Sequence, residues 1–92
     1  MGRTLEEQEA LEKQIEEAKA VVAVGALYVH HKSADKIYKV LDIGIIEAND
    51  DLCVIYQAQY GKRLTFIRPV TSWLEHVEWN GQTVPRFSRK EG

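Results

Sequence analysis

From Gly25 to the C-terminus, short runs of alternating apolar and polar residues are interrupted by turn-forming residues at roughly ten-residue spacing. That pattern leaves few folds open. A chain of 92 residues has room for a single domain, and half-buried strands of this kind must bury one face against each other in a small barrel or sandwich. The spacing predicts strands over Leu27–His31, Ile37–Ala48, Leu52–Tyr60, Arg63–Arg68, His76–Trp79 and Gln82–Val84. "NDD" and "YGKR" supply hairpin turns, and Asn80-Gly81 within "EWNGQT" suits a two-residue type I′ turn, where both central residues take positive φ.

The run "VIYQAQYGKRLTFIRPV" ends on Arg68-Pro69. Proline has no N–H to donate to a ladder, so Pro69 closes a strand, and "PVTSWL" predicts a single tight helical turn before the chain re-enters the sheet. Antiparallel strands, a one-turn helix and a last strand pair, in that order, predict a mostly β protein with a small SH3-like β-barrel.

Before the alternation begins, "TLEEQEALEKQIEEAKAVV" reads as a helix from about Thr4 to about Val22. Thr4 and Glu7 have the spacing of a capping box, and acids crowd the first turn, where the helix dipole favours them. Leu11, Ile15, Ala18 and Val22 form a narrow apolar stripe. Two fates suit it: packing on the protein's own strands, or pairing with the same helix of a second copy in a homodimer. The chain thus divides into an N-terminal amphipathic helix, 1–24, and a barrel, 25–92.

Composition narrows the function classes. The 45% hydrophobic and 28% charged content is that of an ordinary globular protein, with no apolar run near the roughly 20 residues that span a bilayer. The opening residues have no apolar core of a secretory signal. Cys53 is the single cysteine, so no internal disulfide forms and a reducing cytoplasm is the expected compartment. Net charge is −2, and the first 20 residues hold six acids against three bases. The remainder is close to neutral, unlike the clustered basic face of a duplex-DNA binder.

Six segments carry a resemblance: "YVHHK", "YKVL", "VIYQAQYG", "FIRP", "WLEHVE" and "VPRF". Together, over Gly25 to Phe87, they resemble an uncharacterised bacterial family known as domain of unknown function 1653. The resemblance implies an SH3-like barrel, in agreement with the strand pattern, and implies no substrate. The sequence departs from the family at "KSADK", at "IEAND" and at Trp73, where Phe is common.

Alternation puts Val54, Tyr56, Ala58 and Tyr60 on one face of their strand, with Cys53, Ile55, Gln57 and Gln59 on the other. Leu64, Phe66 and Arg68 likewise share a face, which sets a guanidinium among large apolar groups. Such a charge needs partners. Either Arg68 stacks on a tyrosine and binds backbone or a carboxylate such as Glu75, or its five-donor fork grips a ligand. On the second reading Tyr28, Tyr56, Tyr60, Arg68 and Trp73 line a cleft suited to a peptide or a small polar ligand.

Other chemistry has less support. His30 and His31 are adjacent and point to opposite faces of a strand, and His76 has no partner at a ligand spacing, so no metal is expected. Cys53 has no oxyanion loop or orienting residue and reads as a buried structural thiol. No glycine loop cradles a phosphate, and no cofactor is expected. Lys62 and Arg63 in the "GKR" turn, with Arg86 and Arg89 of the C-terminal "RFSRKEG", would form a basic edge for nucleic acid if the tail folded beside the turn. The expectation is therefore a non-catalytic binding module, with nucleic-acid binding or self-association through the helix as alternatives.

Overall fold

The computed structural model describes residues 2–90. Helix α1, Leu5–Val21, opens on the expected capping box. Thr4 Oγ1 accepts from the Glu7 N–H at 3.1 Å, and Glu7 Oε1 accepts from the Thr4 N–H at 2.9 Å. Strands β1 Leu27–His30, β2 Ser33–Ile46, β3 Asp51–Ala58 and β4 Thr65–Pro69 follow, then the one-turn helix α2 Val70–Trp73. The chain ends in β5 His76–Trp79, β6 Gln82–Pro85 and β7 Phe87–Arg89.

All pairings are antiparallel. Five strands form one sheet in the order β4-β3-β2-β1-β7, and β5-β6 form a separate hairpin. The mostly β character and the N-terminal helix are as expected, but the two sheets are not closed into a barrel. The link between them is made of single backbone bonds, from the His31 N–H to Arg86 O at 3.0 Å and from the Arg86 N–H to Glu75 O at 2.9 Å. The Asn80-Gly81 turn has positive φ at both residues, 53° and 79°, as a type I′ hairpin requires.

Pro69 is the last residue of β4, paired with Cys53, rather than the first residue beyond it. Its missing donor is tolerated because β4 is the sheet's edge strand. With φ −54° and ψ 141° it also caps α2. The tail is a second departure: instead of running free or folding beside the "GKR" turn, it forms β7 on β1, pairing Tyr28 with Arg89 and His30 with Phe87.

Strand β2 begins within "KSADK" and bends at Leu41, where the register slips between Val40–Tyr56 and Asp42–Ile55. The bend folds the sheet over a core of Val22, Tyr28, Val40, Ile43, Val54, Tyr56, Trp73 and Phe87, with Ala18 of α1. Ile15 packs against this core, and Val22 is fully buried. Ile15, Ala18 and Val22 of the stripe therefore pack on the chain's own sheet. Pairing with a second copy through Leu11, Ile15, Ala18 and Val22 would require α1 to leave that sheet. Arg3 ties the helix start to the β2–β3 turn through Asp50 and the Glu47 carbonyl, the latter at 2.9 Å. Cys53 is buried, and that burial, with Asp51 nearby, pushes its thiol pKa up.

Candidate functional site

Arg68 sits opposite Val54 and Phe66 opposite Tyr56, so both side chains project over the inner face of the sheet. Arg68 is half-buried with its Cζ 5.5 Å from the centre of the Phe87 ring. Its Nη1 donates to Ser72 Oγ at 2.9 Å, and its Nε is buried with no hydrogen-bond partner. Both partners proposed from the sequence are replaced. Phe87, not a tyrosine, lies beneath the guanidinium, and Glu75 goes to Arg86, 3.6 Å from Nη2. Arg86 Nε also donates to the Ser72 carbonyl at 3.1 Å. Ser72 thus anchors both arginines, and among the described residues no carboxylate pairs with Arg68.

Three of the five predicted cleft residues are core. Trp73 is 3% exposed and stacks on Phe87, ring centres 3.8 Å apart and planes 4° from parallel. Tyr28 meets the Trp73 ring edge-on at 5.3 Å, and its hydroxyl accepts from the Ala23 N–H at 2.9 Å. Tyr56 is buried against Trp73 at 4.9 Å. These rings belong to the core, with Phe87 of the same cluster lying under Arg68. Tyr60 remains open at 36% exposure, its hydroxyl 2.6 Å from that of Tyr38.

Further rings connect to Phe87, the ring that lies under Arg68. Phe66 is 40% exposed, and Tyr38 bridges Tyr60 and Phe87 through edge contacts of 5.5 and 6.1 Å. Burial, then the hydrogen bond to Tyr60, pushes the Tyr38 phenol up to about 12. His30 meets Phe87 edge-on at 5.1 Å. Register is what brings these together, because Tyr28 pairs with Tyr38, and His30 with Phe87, across β1. The opposed-face expectation for His30 and His31 fails, since the chain turns at His31 and brings the two rings to 4.2 Å.

His30 Nδ1 accepts from the Lys32 N–H at 3.2 Å. Burial first, then the positive charges of His31, Arg68, Arg86 and Lys32, holds its pKa down from the ordinary 6.5 to about 4. The unfolded chain therefore takes up this proton at higher pH than the folded one does. Stability is expected to fall as pH drops from about 6.5 and to level off below about 4. The loss is on the order of 1–2 kcal/mol, less than the whole shift converts to, because the half-buried ring keeps contact with solvent. Denaturant midpoints across this range should slope for the native chain and flatten for His30→Gln. Parallel curves would contradict the assignment.

The cations proposed for nucleic acid come from two elements that are not neighbours in the sheet order. Lys62 and Arg63 lie in the β3–β4 turn, with Arg63 Nη1 donating to Gln59 Oε1 at 3.3 Å. Arg86 and Arg89 flank and join β7, which β1 and β2 separate from β3 in the sheet. A groove of about 480 Å³ lies elsewhere, between α1, the start of β3 and α2, with Glu17, Val21, Asp51 and Leu74 in its lining. None of the five predicted cleft residues lines it. Among the described residues no three His, Cys, Asp or Glu side chains converge as a metal site would need, and no helix is long and apolar enough to cross a membrane.

Comparison with curated proteins finds no match. Among solved structures, a protein belonging to DUF1653 from Bordetella bronchiseptica superposes with a TM-score of 0.64 at 23% identity, over 74% of this chain and 87% of that one. At that identity the likeness concerns the fold. Residues 26–89 match the family model described as "Protein of unknown function (DUF1653)", and the chain belongs to that family.

Proposed function

We propose that this domain is a non-catalytic binding module whose ligand sits on the surface around Arg68 and Phe66 and reaches the connected rings of His30, Tyr38 and Tyr60. The fold is read as an opened SH3-like barrel, which the order β4, α2, β5 supports. One observation carries the site: a half-buried guanidinium with a single neutral side-chain partner, Ser72, and a buried Nε with none. Leaving a buried donor unpaired costs about 1–3 kcal/mol, and natural structures keep few such groups without a use for them. Exposed rings beside a fixed arginine suit stacking and polar recognition together.

The test is a backbone-amide NMR titration with mononucleotides, short single-stranded RNA and DNA, and proline-rich peptides. At least one member is expected to move the amides of Phe66, Arg68, Tyr60 and Tyr38, and Arg68→Gln should weaken its binding by about tenfold, the worth of a charge-assisted hydrogen bond. A binder that is nucleic acid should lose affinity steeply with salt. If no member of the panel moves these amides, the proposal fails.

A further inference from the structure

Two features of the Arg68 surface define the ligand more narrowly. First, cations surround the turn that carries His30: Arg68 from β4, Arg86 from the residue before β7 and Lys32 from the β1–β2 turn all act on it. Among the described residues the acid paired at this end is Glu75, and its partner is Arg86. Second, donors here outnumber acceptors. Arg68 Nη2 makes no bond to the described residues and is not enclosed, while Nε beside it is buried without a partner. His30 Nδ1 is occupied as an acceptor from the Lys32 N–H, which leaves the ring proton on Nε2 as a further donor.

Resting on the binding role proposed above, we infer that the ligand group met by this site is an oxyanion, a carboxylate or a phosphate, held by Arg68 with His30 as second donor. Both side chains adjoin the Phe87 ring, with Arg68 Cζ 5.5 Å and the His30 ring 5.1 Å from its centre. An oxyanion at Nη2 draws the guanidinium outward and gives Nε the partner it lacks, the side-on two-point contact that arginine makes with carboxylate and phosphate. It also offsets the mutual repulsion of the surrounding cations, which is what disfavours a proton on His30. Binding an anion therefore makes His30 easier to protonate, and by linkage the affinity rises as the solution becomes mildly acidic.

Acetate and sulfate, added separately to the full chain, serve as carboxylate and tetrahedral probes, with the His30 ring resonances as readout. Either anion should raise the His30 pKa and bind more tightly at mildly acidic than at neutral pH. Tighter acetate binding marks a carboxylate ligand, and tighter sulfate binding marks a phosphate. Arg68→Lys keeps the charge but loses the two-point contact, so affinity should fall about tenfold. His30→Gln should remove the pH dependence. Should neither anion move His30 or Arg68 while the peptide and nucleotide panel still moves Phe66 and Tyr60, the oxyanion inference is overturned and the binding role stands. Silence from both sets overturns both. Anion binding with no pH dependence in the native chain removes His30 from the site and overturns its part of the inference.

Discussion

Replacing Trp73 by alanine is expected to destabilise the domain by about 3–5 kcal/mol, the range for deleting a buried tryptophan. Trp73 is 3% exposed and touches Tyr28, Tyr56 and Phe87, so its removal leaves a cavity walled by three rings. Small domains have about 5–15 kcal/mol in total. The variant should therefore unfold at much lower denaturant, or fail to fold at physiological temperature. The loss would reach the site as well, because Trp73 stacks on the Phe87 ring that lies beneath Arg68. A midpoint shift equivalent to less than about 1 kcal/mol would mean that Trp73 is not the core residue described above.

Removing residues 1–22 should cost nearly as much. The family match begins at residue 26, which invites the view that α1 is an appendage. Its packing argues otherwise. Val22 is fully buried, Ala18 is 7% exposed, and Ile15 lies against the same core. Returning those groups to water, and uncovering their partners, amounts to about 4 kcal/mol at the usual value of buried apolar area. The shortened chain should melt early or aggregate through the uncovered sheet, while the intact chain should sediment as a monomer, its stripe being already used. A shortened chain with an unchanged midpoint, or an intact chain that sediments as a dimer and becomes monomeric on truncation, would contradict this.

What was legible in the sequence follows from how local each signal is. The capping box at Thr4 and the type I′ turn at Asn80-Gly81 depend on neighbouring residues alone, and both are present in the structure. Strand β7 depends on pairing with β1, and three residues are too few to display a period. The openness of the sheet is likewise a matter of which edges meet, and alternation says nothing about that. Tyr28, Tyr56 and Trp73, which the sequence offers as cleft residues, are buried in the core. Aromatic residues with a polar tip serve in cores and in clefts alike, and their sequence pattern does not separate the two uses. His30 was misread because alternation assumes a straight strand, whereas the register slips between Val29 and His30 and the chain turns at His31. Glu75 was the reasonable partner for Arg68 by proximity in sequence, but the bond from the Arg86 N–H to the Glu75 carbonyl carries Arg86 to it first.

The packing around Arg68 is what the proposed binding role rests on. Trp73 and Phe87 stack beneath Arg68, Ser72 accepts from one end of its fork, and Nε is buried with no acceptor among the described residues. On the proposed reading, a side chain held in this way would lose little conformational entropy on binding.

The most direct test observes the Nε–H of Arg68 itself, by arginine-selective 15N NMR of the full chain with and without the ligand panel and the two anions. A resonance that belongs to an unpaired donor in the free protein, and moves downfield on saturation with one of them, is the expected result. An Nε–H signal that stays unchanged through every titration would show that Arg68 only holds the corner between β4 and α2.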